Sequence, residues 1–68
     1  MITELIAQIE GSHDGRPFTA GIVLWNNQVV EAKHPAIRFL QRMKRDQVRV
    51  ACVNRGWKIR VVREHMRP

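Results

Sequence analysis

Two apolar stretches flank the dipeptide Asn26-Asn27, and this arrangement encodes a tight turn between paired strands. Asparagine tolerates the positive φ that a two-residue type I′ turn requires at both of its central positions. The flanking residues 18–25 and 29–33 are apolar and partly β-branched, as is typical of strands in a sheet. The pattern therefore predicts a β-hairpin, and its register pairs Leu24 with Val29 and Val23 with Val30.

The first residues of the chain alternate in polarity, which predicts a half-buried strand over residues 2–10. The two sides of this strand would be formed by Leu5, Ala7 and Ile9 and by Glu4, Gln8 and Glu10. The following residues, 11–17, contain two glycines and a proline, and we interpret them as a loop.

Helical signals begin at Pro35, because proline fits the first position of a helix, where no amide hydrogen is needed. An apolar stripe at helical spacing follows, formed by Ala36, Ile37, Phe39, Leu40 and Met43. Asp46 is a candidate N-cap of a second helix, and Gly56 suits the C-terminal end of that helix. Residues 49–53 are rich in β-branched side chains, so a strand is the alternative there. The apolar face of the second helix would hold Val48, Ala51 and Cys52.

A final alternation, with apolar Trp57, Ile59 and Val61, predicts a last strand with one apolar and one largely basic face. Residues 63–68 are expected to form a frayed basic tail. The order of elements is then β-β-β-α-α-β. The fold class is α+β, a small antiparallel sheet with two short helices packed on one face. We expect residues 1–68 to form a single domain.

A chain of 68 residues buries only about 60% of the surface of its unfolded state, which limits any cleft beside its core. This size favours a binding module or a subunit over an enzyme, and we expect no cofactor. A homodimer is an alternative to a monomer, since a second copy supplies burial that a small core lacks. The chain shows no signal-peptide pattern and no apolar stretch of about 18 residues, so we expect a cytoplasmic protein without membrane association.

Cys52 is the one cysteine, so no intramolecular disulfide is possible. Its place on the apolar side of the second helix predicts a buried, unreactive thiol. His13, His34, His65 and Cys52 show no metal-ligand spacing, so no metal site is predicted.

Charge is distributed very unevenly along the chain. Residues 31–68 hold eleven Lys and Arg against three acidic residues, whereas residues 1–30 hold one Arg against three acidic residues. The formal net charge is +6. Such a one-sided field attracts polyanions or acidic protein surfaces.

The strongest candidates for partner contact are Arg38, Arg42, Arg45 and Arg49, which recur at three- and four-residue spacing. They share one face if the two helices are nearly continuous. A solvated face that keeps the protein soluble is the alternative. Lys58 and Arg60 would extend the basic surface from the last strand, or they would protect an edge strand by charge.

Two features of the sequence disfavour base-specific recognition of nucleic acid. Its aromatic residues, Phe18, Trp25, Phe39 and Trp57, are assigned to the core, which leaves few stacking platforms for single strands. The chain also shows no helix-turn-helix, zinc-finger or RNP pattern. Any contact with nucleic acid is therefore expected at phosphates rather than at base edges.

Ser12-His13-Asp14 contains the residue types of a hydrolytic triad. Consecutive residues of one loop cannot align a nucleophile, a base and an orienting group, so no catalytic residue is predicted. We interpret the segment as a polar turn, with a partner-contacting loop as the alternative. In that alternative the contacts would come from His13, Asp14 and Arg16.

Three stretches of the chain resemble small phage and prophage proteins of unassigned role. They are Gly15-Arg16-Pro17-Phe18-Thr19-Ala20-Gly21-Ile22-Val23-Leu24-Trp25, then Val29-Val30-Glu31-Ala32, and finally Asp46-Gln47-Val48-Arg49 leading to Arg55-Gly56-Trp57-Lys58-Ile59. Together they comprise 24 of the 68 residues and lie within residues 15–59. Among small phage proteins, the resemblance is to anti-CRISPR proteins directed at type I effectors, with subtype I-C as one candidate.

The resemblance implies a non-enzymatic inhibitor in the cytoplasm of a bacterial host, which binds a Cascade-type CRISPR effector complex and blocks its binding of target DNA. Many anti-CRISPR proteins are acidic DNA mimics, whereas this chain is basic and would meet an acidic protein surface or nucleic acid in the complex. The predicted contacts are Arg38, Arg42, Arg45, Arg49, Lys58 and Arg60, with His13, Asp14 and Arg16. The alternative function is a nonspecific DNA- or RNA-binding accessory protein that contacts phosphates through the same basic face.

Overall fold

The computed structural model describes residues 1–67 and shows a four-stranded antiparallel sheet with two short helices. In chain order the elements are β1 (Ile2–His13), β2 (Arg16–Trp25), β3 (Gln28–Glu31), a 3-10 helix (Pro35–Leu40), α1 (Arg45–Asn54) and β4 (Lys58–Arg67). The order of strands across the sheet is β3-β2-β1-β4. The predicted α+β class and order of elements are confirmed, although the first helix is a 3-10 helix.

β1 and β2 form a long hairpin, whose register runs from Glu4 opposite Trp25 to His13 opposite Arg16. Its turn is only two residues long, and Asp14 and Gly15 both have positive φ, 53° and 77°. The prediction of a loop over residues 11–17 is therefore wrong, because strand pairing continues almost to the turn. Pro17 is compatible with a strand because β2 lacks a second neighbour at that level, and proline is tolerated on such edges.

The hairpin between β2 and β3 is confirmed, with positive φ at both Asn26 (51°) and Asn27 (66°). Leu24 lies opposite Val29 as predicted. The predicted partner of Val23 is wrong, because an irregularity between Val23 and Leu24 shifts the register and sets Val23 opposite Glu31. Such a bulge adds one residue to one strand and leaves it without a cross-strand partner.

β4 lies at the edge of the sheet beside β1 and continues to Arg67. The predicted frayed tail over residues 63–68 is therefore wrong for residues 63–67, which pair with the beginning of β1, and residue 68 lies outside the described residues. Ile59 lies opposite Ile9 and Val61 opposite Ala7. The register then shifts, so that Arg63 lies opposite Ile6 and Val62 is the additional residue of a bulge.

The 3-10 helix begins at Pro35, as the sequence predicts, and His34 precedes it as the N-cap. The Nδ1 atom of His34 accepts a hydrogen bond from the backbone N–H of Ala36 at 3.1 Å. The helix ends at Leu40, and Gln41 and Arg42 have non-helical backbone conformations, with a φ of 70° at Arg42. The two helices are thus separated by a real break in the chain.

α1 occupies Arg45–Asn54, so the helical interpretation of residues 49–53 is confirmed over the strand alternative. Its N-cap is Lys44, where Asp46 was predicted, and Asp46 lies in the first turn. The Gln47 side chain accepts a hydrogen bond from the Lys44 N–H at 3.0 Å. Gly56 follows the helix with a φ of 72°, the left-handed conformation that ends many helices.

The core lies between the helices and one face of the sheet. Its buried residues include Leu5, Ala7 and Ile9 of β1, Ala20, Ile22 and Leu24 of β2, and Ile37, Leu40, Val48 and Cys52 of the helices. Trp57 is buried as predicted, and Phe18 packs against this core. The assignment of Trp25 and Phe39 to the core is wrong, since they are 41% and 39% exposed. Leu24 takes the inward position that Trp25 would need.

The opposite face of the sheet, here called the open face, carries neither helix. Trp25 lies on it, and its indole N–H donates a hydrogen bond to the Oε2 of Glu4 at 2.9 Å. Within the described part of the chain, no helix is long and apolar enough to cross a membrane.

Candidate functional site: a basic strand edge beside helix α1

β4 carries a row of basic side chains on the open face of the sheet. Residues paired across an antiparallel ladder point to the same face, so the face of each β4 residue follows from its β1 partner. On the open face the β4 residues are Lys58, Arg60, Arg63, His65 and Arg67, opposite Glu10, Gln8, Ile6, Glu4 and Ile2. The bulge at Val62 is what keeps Arg63, His65 and Arg67 on the same face as Lys58 and Arg60.

The other face of β4 is largely apolar and only partly covered, although it also carries Glu64, opposite Leu5. Ile59 and Val61 face the helix side of the sheet, yet they are 37% and 46% exposed, and Met66 is 62% exposed. The cross-strand neighbours of Ile59 and Val61, which are Ile9 and Ala7, are fully buried. The core therefore ends at β1, and β4 extends an apolar surface beyond it.

α1 contributes one arginine, Arg49, to the same region. Arg49, Lys58 and Arg60 line one open cleft of about 510 Å³, together with Gln8, Glu10, Val53, Trp57 and Ile59. Arg49 also borders a second open cleft of about 600 Å³, whose other lining residues are Lys44, Arg45, Asp46 and residues 26–28 of the β2–β3 turn. Arg49 thus connects the basic flank of α1 to the basic edge of β4. Arg45 lies instead beside the β2–β3 turn, where its backbone N–H donates to the carbonyl of Asn27 at 2.8 Å. We call Arg49 and the β4 residues Lys58, Arg60, Arg63, His65 and Arg67 the β4–α1 surface.

Arg38 and Arg42 do not join this surface. The Nε of Arg38 donates to the carbonyl of Lys33 at 3.3 Å, within the 3-10 region. Arg42 lies beside β3, and its backbone N–H donates to the carbonyl of Val29 at 3.0 Å. The expectation that Arg38, Arg42, Arg45 and Arg49 share one helical face is wrong, because the break at Gln41 and Arg42 separates the two pairs.

The turn between β1 and β2 also lies apart from the two clefts. The Nε2 of His13 is 3.5 Å from the Oδ2 of Asp14, and Arg16 is the first residue of β2. The hairpin projects past the beginning of β4, whose first residue, Lys58, lies opposite Glu10. Contact of His13, Asp14 and Arg16 with a partner stays a prediction.

The positive charges of the β4–α1 surface are largely free of internal carboxylates. Within residues 1–67, the ion pairs are Lys33 with Glu31, Arg67 with Glu4 and His13 with Asp14. In this range Arg49, Lys58 and Arg60 form no ion pair, and Arg60 instead donates to the neutral Oε1 of Gln8 at 2.8 Å. Their charge is therefore available to an external anionic group.

The structure also bears on the groups considered for catalysis. Cys52 is buried, as predicted, and burial raises the pKa of its thiol, while the nearby Arg55 guanidinium opposes this shift only in part. Such a thiol is a poor nucleophile. The carbonyl of Ser12 accepts a hydrogen bond from the indole N–H of Trp57 at 3.0 Å, so this part of β1 has a structural role in joining the sheet to the core. Across the described residues, His, Cys, Asp and Glu form no cluster of three or more that could hold a metal ion.

Sequence reasoning missed part of the surface. The β4 residues Arg63, His65 and Arg67 were absent from the predicted contacts. The signal was present, because basic or ionisable residues recur at every second position from Arg63 to Arg67, the period of a strand. This period was not recognised because these residues were assigned to a frayed tail.

No family model matches the chain, and neither a curated protein nor a solved structure shows significant similarity to it.

Proposed function

We propose that this protein is a non-enzymatic binding module that docks on an acidic surface of a nucleic-acid-handling complex through the β4–α1 surface. The observation that carries the proposal is the row of basic side chains on one face of an exposed edge strand, continuous with Arg49 of α1. Exposed charges of one sign steer association with the opposite sign and contribute to specificity.

A more specific form of the proposal is an anti-CRISPR inhibitor that blocks target DNA binding by a type I surveillance complex. It is supported by the resemblance of residues 15–25, 29–32, 46–49 and 55–59 to small phage proteins. The basic charge of this chain gives the inhibitor a different mode from a DNA mimic, since it would cover an acidic protein surface of the complex.

The second candidate is nonspecific binding of nucleic acid, and the exposure of Trp25 favours it. Trp25 lies on the open face, opposite Glu4, and Glu4 lies opposite His65, so the sheet presents an aromatic ring beside basic residues. Bases stack on such rings while cations meet the phosphates. On the same face, Glu4 lies between Trp25 and His65, and Glu10 lies beside Lys58. Their repulsion of phosphates makes this the weaker candidate.

Charge reversal with a matched control tests the docking proposal. The variant Arg49→Glu/Arg60→Glu changes two cations of the β4–α1 surface, whereas Arg38→Glu/Arg42→Glu makes the same change of net charge elsewhere. Each is titrated against a purified type I surveillance complex free of target DNA, and against a labelled DNA duplex at low and moderate salt. Thermal unfolding verifies that both variants fold.

We expect the first variant to weaken binding to the complex at least tenfold and the control to weaken it less than twofold. Equal losses in the two variants, or none in either, would overturn the proposed surface. Tight binding of the wild-type protein to the DNA duplex, with a steep loss as salt is raised, would favour the accessory protein instead.

A further inference from the structure

The two edge strands, β3 and β4, differ in whether their outward backbone N–H and C=O groups have hydrogen-bond partners. At the outer edge of β3, the backbone N–H of Val29 donates to Met43 at 2.9 Å, and the carbonyl of Val29 accepts from Arg42 at 3.0 Å. Further along, the side-chain amide of Gln41 donates to the carbonyl of Val30 at 2.7 Å and accepts from the N–H of Ala32 at 3.0 Å. The chain between the helices thus occupies the hydrogen-bonding groups of this edge.

The outer edge of β4 has no such cover within residues 1–67. β4 is ten residues long, all of them are exposed, and the strand pairs with β1 on its inner side alone. In an antiparallel sheet roughly every second residue of an edge strand directs its N–H and C=O outward, so about five residues of β4 present unpaired backbone groups.

We propose that β4 accepts one additional strand, supplied by an extended acidic segment of the partner protein. The inference rests on the proposed function, and it names the chemistry of the partner at the same site. Addition of a strand to an exposed edge is a general mode of peptide recognition, in which backbone hydrogen bonds give affinity and alternate side chains give specificity.

The two faces of β4 define which segment fits. Alternate residues of an added strand would lie beside the basic row on the open face, where carboxylates are favoured. The intervening residues would lie beside Ile59 and Val61 and near Val53 of α1, where apolar side chains are favoured. Cross-strand pairs of opposite charge and of apolar residues both stabilise a sheet. The segment is therefore an alternation of Asp or Glu with Val, Ile or Leu.

Charge disfavours a second copy of β4 at this edge, and backbone chemistry disfavours a nucleic acid. A second copy of β4 would bring four more Lys and Arg with one Glu to the same edge, and like charges across strands are destabilising. A nucleic acid has no peptide backbone, so it would neutralise the basic row but leave the unpaired N–H and C=O groups of the edge without strand partners.

Binding of synthetic peptides to the wild-type protein tests the inference. The reference probe is an acetylated and amidated octapeptide in which Glu alternates with Val or Ile. A second peptide has the same composition with all Glu placed first, which keeps the charge and removes the alternation. Two further peptides carry backbone N-methyl groups at the odd or at the even positions, which removes the donors on one side of the strand. Binding is followed by fluorescence anisotropy, and amide exchange of β4 by NMR.

We expect the alternating peptide to bind and to slow exchange of alternate β4 amides at least tenfold. The block peptide should bind at least tenfold more weakly. One N-methyl series should lose binding and the other should retain it, because only one side of the added strand faces β4.

Equal binding of all four peptides would overturn strand addition while leaving charge-driven docking in place. Strand addition would likewise be overturned, and docking retained, if no peptide binds but Arg49→Glu/Arg60→Glu still weakens capture of the complex. If no peptide binds and the charge-reversal variants capture the complex as well as the wild type, both proposals are overturned. Concentration-dependent self-association with protected β4 amides would replace the acidic segment with a second copy.

Discussion

The indole ring of Trp57 lies directly against the backbone of Gly11, so that a Cβ at position 11 would overlap the ring. The same ring donates a hydrogen bond to the carbonyl of Ser12 and packs edge-on against Phe18, with ring centroids 5.0 Å apart. The contact joins the end of β1 to the residue that precedes β4. It therefore couples the packing of the core to the position of the exposed edge.

Replacement of Gly11 by alanine should destabilise the protein by about 2 kcal/mol, because overpacking of this kind costs about 1–3 kcal/mol. For a domain of this size that is a fall in Tm of roughly 10 °C. The measurement is thermal or urea unfolding. Gly21→Ala is the control, since its nearest neighbour would be the carbonyl oxygen of Ala7 at an ordinary 3.9 Å, and its Tm should change little. A Gly11→Ala protein as stable as Gly21→Ala would contradict the packing described for Trp57.

Replacement of Gln41 by alanine should lower the free energy of unfolding by about 2 kcal/mol, because two hydrogen bonds are lost and each leaves a partner unsatisfied. An unsatisfied partner costs about 1–3 kcal/mol when it is buried and less when it is exposed. The groups released are the carbonyl of Val30 and the N–H of Ala32. Hydrogen exchange at Ala32 should accelerate in parallel. Gln41→Glu has almost the same shape but no donor for Val30, so it should also lose stability. Wild-type stability in Gln41→Glu would show that the side chain acts through packing rather than hydrogen bonding.

Cys52 should make stability fall at alkaline pH. Burial raises the pKa of its thiol in the folded state above the ordinary value of 9.0. The unfolded chain therefore loses this proton first as the pH rises, and ionisation favours unfolding. The stabilising contribution is full below pH 9 and declines as the pH rises through the folded pKa.

The measurement is the free energy of unfolding between pH 7 and 10.5 for the wild type and for Cys52→Ala, because the difference isolates the thiol from other titrating groups. We expect the advantage of the wild type to shrink above pH 9. A difference that stays constant over this range would contradict the effect of burial on the thiol.

The two asparagines of the β2–β3 turn should respond oppositely to glycine. The Oδ1 of Asn26 accepts a hydrogen bond from the N–H of Thr3 at 3.0 Å, so Asn26→Gly should lose about 1 kcal/mol. Asn27 has a φ of 66°, and its carbonyl accepts from the N–H of Arg45, a backbone bond that any residue can make. Because glycine adopts positive φ without strain, Asn27→Gly should be neutral or slightly stabilising. Urea unfolding of the two variants measures the difference, and equal losses would contradict it.

Local chemistry explains which parts of the fold were predictable. The type I′ turn depends on the backbone preferences of Asn26 and Asn27, and α1 ends where Gly56 permits a left-handed residue, so both follow from neighbouring residues. The alternation of Leu5, Ala7 and Ile9 likewise predicts which side of β1 is buried. These signals act over a few residues and need no knowledge of distant parts of the chain.

Long-range pairing explains what the sequence did not reveal. Residues 63–67 are a strand because the beginning of β1 is available to them, and nothing local distinguishes them from a tail. The bulge at Val62 was equally hidden, although it decides which face Arg63 and Arg67 occupy. The positive charge of the site was evident from composition, but its location was not. The bonds of Gln41 to Val30 and Ala32 accompany the break between the helices, which separates Arg38 and Arg42 from Arg45 and Arg49.

The amide of Gln41 also limits how large an assembly can become. Because β3 is covered by residues 41–43 of its own molecule, no further strand can add to β3, whereas the outer edge of β4 has no cover within residues 1–67. Strand addition at β4 would therefore place one partner segment on each molecule, and the sheet could not grow in the opposite direction through β3.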